Sequence, residues 1–174
     1  NQDVKFLSIG GGEGGRLSAL KAGVIHGTML FPPLDLIARN DGLKVLNKFD
    51  VPTPGGGIST SAALLKQNRP LVLNFLKGYI EGIHYMIGHK PESLKILQRY
   101  FQNSDLAAMG YLYDETTRRL EKELRASPES ITFHYDMAAQ DDPRAKQATE
   151  KTFWDSSLVE EIRRSGFVEQ LYKN

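Results

Sequence analysis

Five glycines in six residues, Gly10-Gly11-Gly12-Glu13-Gly14-Gly15, constrain this chain more than any other stretch. Backbone so free predicts a loop, because six such residues sustain neither a helix nor a ladder. The two flanks differ. Val4-Lys5-Phe6-Leu7-Ser8-Ile9 is short, β-prone and bounded by glycine, which predicts a strand. Arg16 to Ala22 sets Leu17, Leu20 and Lys21 at helical spacing ahead of Gly23, a C-terminal stop. The expected order is strand, loop, helix.

The alternation continues. Val24 to Phe31 reads as a second strand stopped by Pro32-Pro33, Leu34 to Arg39 as a short helix ending near Asn40-Asp41-Gly42, and Leu43-Lys44-Val45-Leu46 as a third strand. Strands joined by short helices imply parallel pairing with right-handed crossovers, so residues 1–50 are expected to be α/β with a short parallel sheet. Pro52, Pro54 and Gly55 to Gly57 then mark a boundary, and Ile58-Ser59-Thr60-Ser61 reads as one more short strand before Ala62 to Lys66 turns helical.

The remainder, to residue 174, predicts helices. Asn68 caps one, with Pro70 in its first turn and Val72, Leu76, Tyr79, Ile83 and Ile87 on one apolar face. Pro91-Glu92 opens a second with Leu94, Leu97 and Phe101. Asp105 caps a third that carries Leu106, Met109, Leu112, Leu120 and Leu124, and Ser127-Pro128 opens a fourth with Ile131 and Met137. Gln140-Asp141-Asp142-Pro143 breaks the pattern. Asp155 caps a last helix with Leu158 and Ile162 that stops at Gly166, and Trp154 reads as its hydrophobic staple.

Composition excludes several functions. Lys plus Arg number 22 against 21 Asp plus Glu, so a net charge of +1 gives no reason to expect nucleic acid or an anionic membrane as partner. The absence of cysteine removes disulfides, thiolate catalysis and Cys-ligated zinc. No apolar run approaches the roughly 20 residues of a membrane span. His26, His84, His89 and His134 form no metal-spaced set, so no metal is expected. There is no G-x-S-x-G, and Ser59 and Ser61 have no assignable base. The charged run from Thr116 to Arg125 reads as a solvated helix face with i,i+4 pairs.

The glycine loop keeps three readings. Gly10, Gly12 and Gly15 match G-x-G-x-x-G, which predicts backbone N–H groups and a helix N-terminus turned towards an anionic ligand. An α/β enzyme domain using this loop for a nucleotide or dinucleotide is one reading. Its acidic partner should stand about 20 residues on; Asp35 is at that distance, but follows Pro32-Pro33 inside the next helix, and Glu13 would repel a pyrophosphate. A tight turn with little ligand contact is the second reading, and contact with some other small ligand the third.

The order of segments carries a resemblance. Val4 to Gly10, Arg16-Leu17-Ser18-Ala19-Leu20-Lys21-Ala22-Gly23, Thr28-Met29-Leu30, Pro33 and Gly42-Leu43-Lys44-Val45-Leu46 resemble a block of the solute-binding proteins of nitrate, sulfonate, taurine and thiamin-precursor ABC importers. Gly57 to Ser61 with Leu64-Leu65, Asn68 to Gly78, and Phe153, Asp155 and Ser165-Gly166-Phe167 are similar to that family's later segments. His26 stands where the family usually has an acidic residue. The resemblance implies a partial type II periplasmic-binding-protein fold, with residues 1–50 as the remainder of lobe two and 51–174 as the crossover and the helical C-terminal part of lobe one. The family's signal, most of its first lobe and the start of its second would lie upstream.

The resemblance further implies an extracytoplasmic, periplasmic or membrane-tethered protein. It would bind a small molecule in a cleft between lobes without catalysis or cofactor, with the importer's permease subunits as partners. Gly11, Gly12, Glu13, Phe31 and Pro32 would lie at C-terminal strand ends, where open α/β sheets bind ligands. Gly55 to Thr60 would form the hinge and adjoining rim, with Thr60 as a ligand contact. An exposed sheet edge would also allow a homodimer.

Overall fold

The structure, a computed structural model, describes residues 3–50, 56–147 and 154–173. Among them the regular elements are helices: α1 (Gly12–Lys21), α2 (Leu34–Asn40), α3 (Ala62–Gln67), α4 (Arg69–Gly88), α5 (Lys90–Phe101), α6 (Leu106–Thr117), α7 (Pro128–Asp141), α8 (Ser157–Arg164) and α9 (Phe167–Leu171), with a 3₁₀ turn at Pro143–Gln147.

The expected α/β fold with a parallel sheet is thereby corrected, since no strand occurs among the described residues. Val4 to Ile9, Val24 to Phe31, Leu43 to Leu46 and Ile58 to Ser61 are irregular. β-propensity measures fit to a pleated, half-buried surface rather than an intrinsic backbone preference. Here that surface is missing: Phe6 is 92% exposed and Leu46 91%. A strand without a neighbour cannot satisfy its peptide groups and has no stability of its own. The Pro52, Pro54 and Gly55 boundary, and Phe153, lie outside the described residues.

The chain divides into two compact units, one of residues 3–48 and 90–119, the other of 49–89 and 120–173. In the first, α1 packs on α2, α2 on α6 and α5 on α6. Ala108, Met109 and Leu112 form its centre, with Leu36, Leu94 and Leu97 against them. Both short helices end alike. Gly23 (φ 70°) and Gly42 (φ 84°) take the left-handed conformation that glycine adopts without a Cβ clash. The following N–H groups reach back, Val24 to Ala19 O at 2.9 Å and Leu43 to Ala38 O at 3.0 Å, closing the last turn's carbonyls.

In the second unit, α4 lays Val72, Leu76 and Ile80 against Leu158, Ile162 and Val168 of α8 and α9. Ile80, wholly buried, replaces the expected Tyr79, which is half exposed. The caps fall where expected: Asn68 Oδ1 accepts from Leu71 N (3.3 Å), Ser127 Oγ from Ser130 N (3.1 Å) and, in the first unit, Asp105 Oδ1 from Ala107 N (2.9 Å). Asp155 caps α8 from one residue before its N-cap, accepting from Ser157 N at 2.9 Å. Two helix expectations change. The third helix stops at Thr117, so the charged run is helical only at its start, and Leu124 has φ 57°. Gly166 (φ 75°) ends α8 and also starts α9.

Candidate functional site

The glycine stretch is itself the start of a helix. Gly11 (φ 80°) caps α1, and Gly15 N donates to Gly11 O at 3.0 Å. Glycine is tolerated because the first-turn N–H groups lack intrahelical acceptors in any helix. A Cβ on Gly15 would lie 2.1 Å from the Gly10 carbonyl oxygen, so the turn closes on itself and admits no side chain there. The nucleotide fingerprint needs a strand before this turn, and the described residues before Gly10 form none.

The tight start places Glu13 on the first turn of α1. Its Oε2 accepts from the Phe31 backbone N–H at 3.4 Å, and its Oε1 lies 3.7 Å from Arg16 Nη2. The second turn follows at once: Leu34 N donates to Phe31 O at 2.9 Å across the cis Pro32–Pro33 bond, and α2 begins. Glu13 therefore ties together two turns separated by most of α1 and an irregular connection.

Beside it opens a cavity of about 360 Å³ lined by Glu13, Pro32, Pro33, Leu34, Ile37, Phe101, Asn103 and Met109. Met109, fully buried on α6, belongs also to the unit's core. Asn103 sits in the turn between α5 and α6, where its Oδ1 accepts from Asp105 N at 2.9 Å. That bond fixes the amide so that its NH₂ group is the end left to donate. Glu13 is the one charged residue among the lining residues.

The contact between α2 and α6 also carries a polar chain. Tyr111 Oη donates to Asp35 Oδ2 at 2.5 Å, and Lys48 Nζ pairs with Glu115 at 3.3 Å, as does Arg118 Nη2 at 3.2 Å. Burial, then the Asp35 carboxylate, pushes the Tyr111 hydroxyl above its ordinary value. Burial also pushes the Glu115 carboxyl up, but the Arg118 and Lys48 hydrogen bonds outweigh it and hold it below the usual range. Lys48 is raised, chiefly by its bond to Glu115. Asp35 Oδ1 is buried and accepts no hydrogen bond.

Of the residues picked out by sequence, Glu13 and Pro32 line this cavity. Gly11 and Gly12 form the start of α1, and Phe31 contributes its N–H while its ring is half exposed. Thr60 belongs to the other unit, in an exposed irregular segment, and Gly55 lies outside the described residues. His26 is exposed, and no group of histidine and acidic residues among the described ones is placed to hold a metal. Phe101, Asn103 and Met109 read as helix and cap residues by spacing alone. The turn-forming cluster Asn103-Ser104-Asp105 was the available signal that this corner projects a polar group.

Comparison with protein-family models, with curated proteins and with solved structures finds no match for this chain.

Proposed function

We propose that the chain is the extracytoplasmic solute-binding component of an ABC importer, holding one small molecule without transforming it and delivering it to the permease subunits. Two things support this reading. One is the ordered resemblance along the sequence, from Val4 to Gly10 through to Phe167. The other, which carries the most weight, is the cavity in which Glu13 and Pro32 stand together. Its volume of about 360 Å³ falls at the lower end of the roughly 300–1,000 Å³ of small-molecule sites. A lining of apolar side chains with one carboxylate and one amide fits the holding of a small molecule.

The test is a thermal-shift and calorimetric screen of nitrate, alkyl sulfonates, taurine, pyrimidines, aromatic acids and simple amines, with NAD and ATP alongside. Saturable binding of one small solute, recovered unchanged, is the expected result. Stabilisation by NAD or ATP alone would replace the reading with the nucleotide one, and silence across the whole screen would end it.

A further inference from the structure

Resting on the reading of this cavity as a solute site, the geometry points to the class of solute it takes: a compact organic cation. The ligand carries an ammonium or amidinium group on an apolar body about the size of one ring, with a hydrogen-bond acceptor beside it. The body follows from the walls. Pro32, Pro33, Leu34, Ile37, Phe101 and Met109 supply six of the eight lining residues, and none of their side chains can hydrogen-bond well. A solute that is polar all round would lose its water against these six walls and gain no hydrogen bond from them.

The charge follows from Glu13. It is the only formal charge among the described lining residues, with Arg16 outside the lining at 3.7 Å from its Oε1, so an anion entering the cavity faces a carboxylate. Nor is the carboxylate saturated by the protein. Its Oε2 accepts a backbone N–H at 3.4 Å, and its Oε1 has a guanidinium nitrogen at 3.7 Å whose side chain is one-third exposed. A carboxylate accepts about four hydrogen bonds, and charge-assisted ones contract to about 2.7–2.9 Å. Neither existing contact is that short, so a ligand ammonium offers Glu13 a better partner than either.

The acceptor follows from Asn103. Its carbonyl oxygen is engaged by Asp105 N at 2.9 Å, which leaves the amide NH₂ to donate towards a ligand. Glu13 and Asn103 thus impose opposite requirements within one cavity: the ligand donates to the first and accepts from the second.

The experiment titrates the whole chain with three probes of one shape, benzylamine, benzyl alcohol and benzoate, at neutral pH and low salt, and repeats the titration with Glu13→Gln. Benzylamine should bind about tenfold or more tighter than either other probe, as a charge-assisted bond predicts. In Glu13→Gln, whose folding is checked by its helical circular dichroism, that preference should disappear. Equal binding of the three probes, a preference for benzoate, or a preference for benzylamine that survives the substitution would overturn the inference and leave the solute-binding reading standing. No binding by any of the three would overturn the inference too, while the reading itself falls only if the wider screen is also silent.

Discussion

In the unit of residues 49–89 and 120–173, α4 turns Val72, Leu76 and Ile80 onto Leu158, Ile162 and Val168, and its ion pairs, such as Arg69 with Glu161, lie at the surface. In the unit of residues 3–48 and 90–119, the central cluster is smaller, and one of its members, Met109, faces a cavity as well. That unit also holds a tyrosine–carboxylate bond at its α2–α6 contact, while a buried side-chain oxygen without a partner occurs in each unit, Asp35 Oδ1 in this one and Tyr172 Oη in the other. Packing an apolar face stabilises a fold and asks for nothing else. A cavity and a polar chain at a helix contact forgo burial and are retained where something else is gained. On the proposed reading, stability rests mainly on the one unit and recognition on the other.

The largest effects should come from fully buried side chains, of which each unit supplies one to compare, Ile80 and Met109. Ile80→Ala removes the centre of the α4 face and should lower stability by about 2–5 kcal/mol in urea denaturation, with cavity binding unchanged in the surviving folded protein. Met109→Ala should cost a similar ~2–5 kcal/mol and in addition enlarge the cavity, shifting its preference to bulkier probes. If the two substitutions alter binding alike, the division of roles is wrong.

Glycine positions sharpen the same contrast. In Gly15→Ala the new methyl meets the Gly10 carbonyl, so the start of α1 must shift. About 1–3 kcal/mol of stability should be lost, together with probe binding, because Glu13 moves with that turn. Gly166→Ala meets no close atom but forces a non-glycine residue to φ 75°, at a cost of about 1–2 kcal/mol. It should leave binding intact. Differential scanning calorimetry with a benzylamine titration on each variant separates the two results.

Tyr111→Phe takes the donor from Asp35 Oδ2, beside an Oδ1 that already has none. The expected loss is about 1 kcal/mol. A neutral or stabilising result in thermal denaturation would mean that the pair is retained for something other than stability.

How much of this was legible depends on whether the signal was local. Asn68, Asp105 and Ser127 announce helix starts because an N-cap bond spans three residues at most. Gly23 and Gly42 announce helix ends for the same reason. Val4 to Ile9 and Leu43 to Leu46 have a strand's composition, but a strand exists only in a ladder, and six residues carry no information about their neighbour. The glycine run misled in the other direction. Counted as a loop, it is a cap and a first turn, where the penalty for glycine is weakest. The cavity was half legible. Glu13 and Pro32 stand at breaks in the pattern, whereas Met109 and Phe101 are indistinguishable by spacing from any apolar helix residue, and only packing reveals which of them borders empty space.

The smallest effect is a pH dependence in the apolar unit. Hydrogen bonds from Ser157 hold the Asp155 carboxyl below its ordinary 3.8, with Arg69 adding to them and burial opposing. A carboxyl whose folded value lies below its unfolded one binds fewer protons folded than unfolded between the two values, so there stability rises with pH. The contribution is therefore complete above pH 3.8 and is lost as pH falls through the depressed folded value. Asp155→Ala removes the carboxylate from the start of α8, and the gap in urea midpoint between native chain and variant should be constant near neutral pH and close as pH drops below 3.8. The same acid titration should leave the gap between native chain and Ile80→Ala nearly unchanged, because a methyl cluster has no proton to gain. A gap for Asp155→Ala that stays constant into acid would mean that the Ser157 bond does not hold this carboxylate in solution.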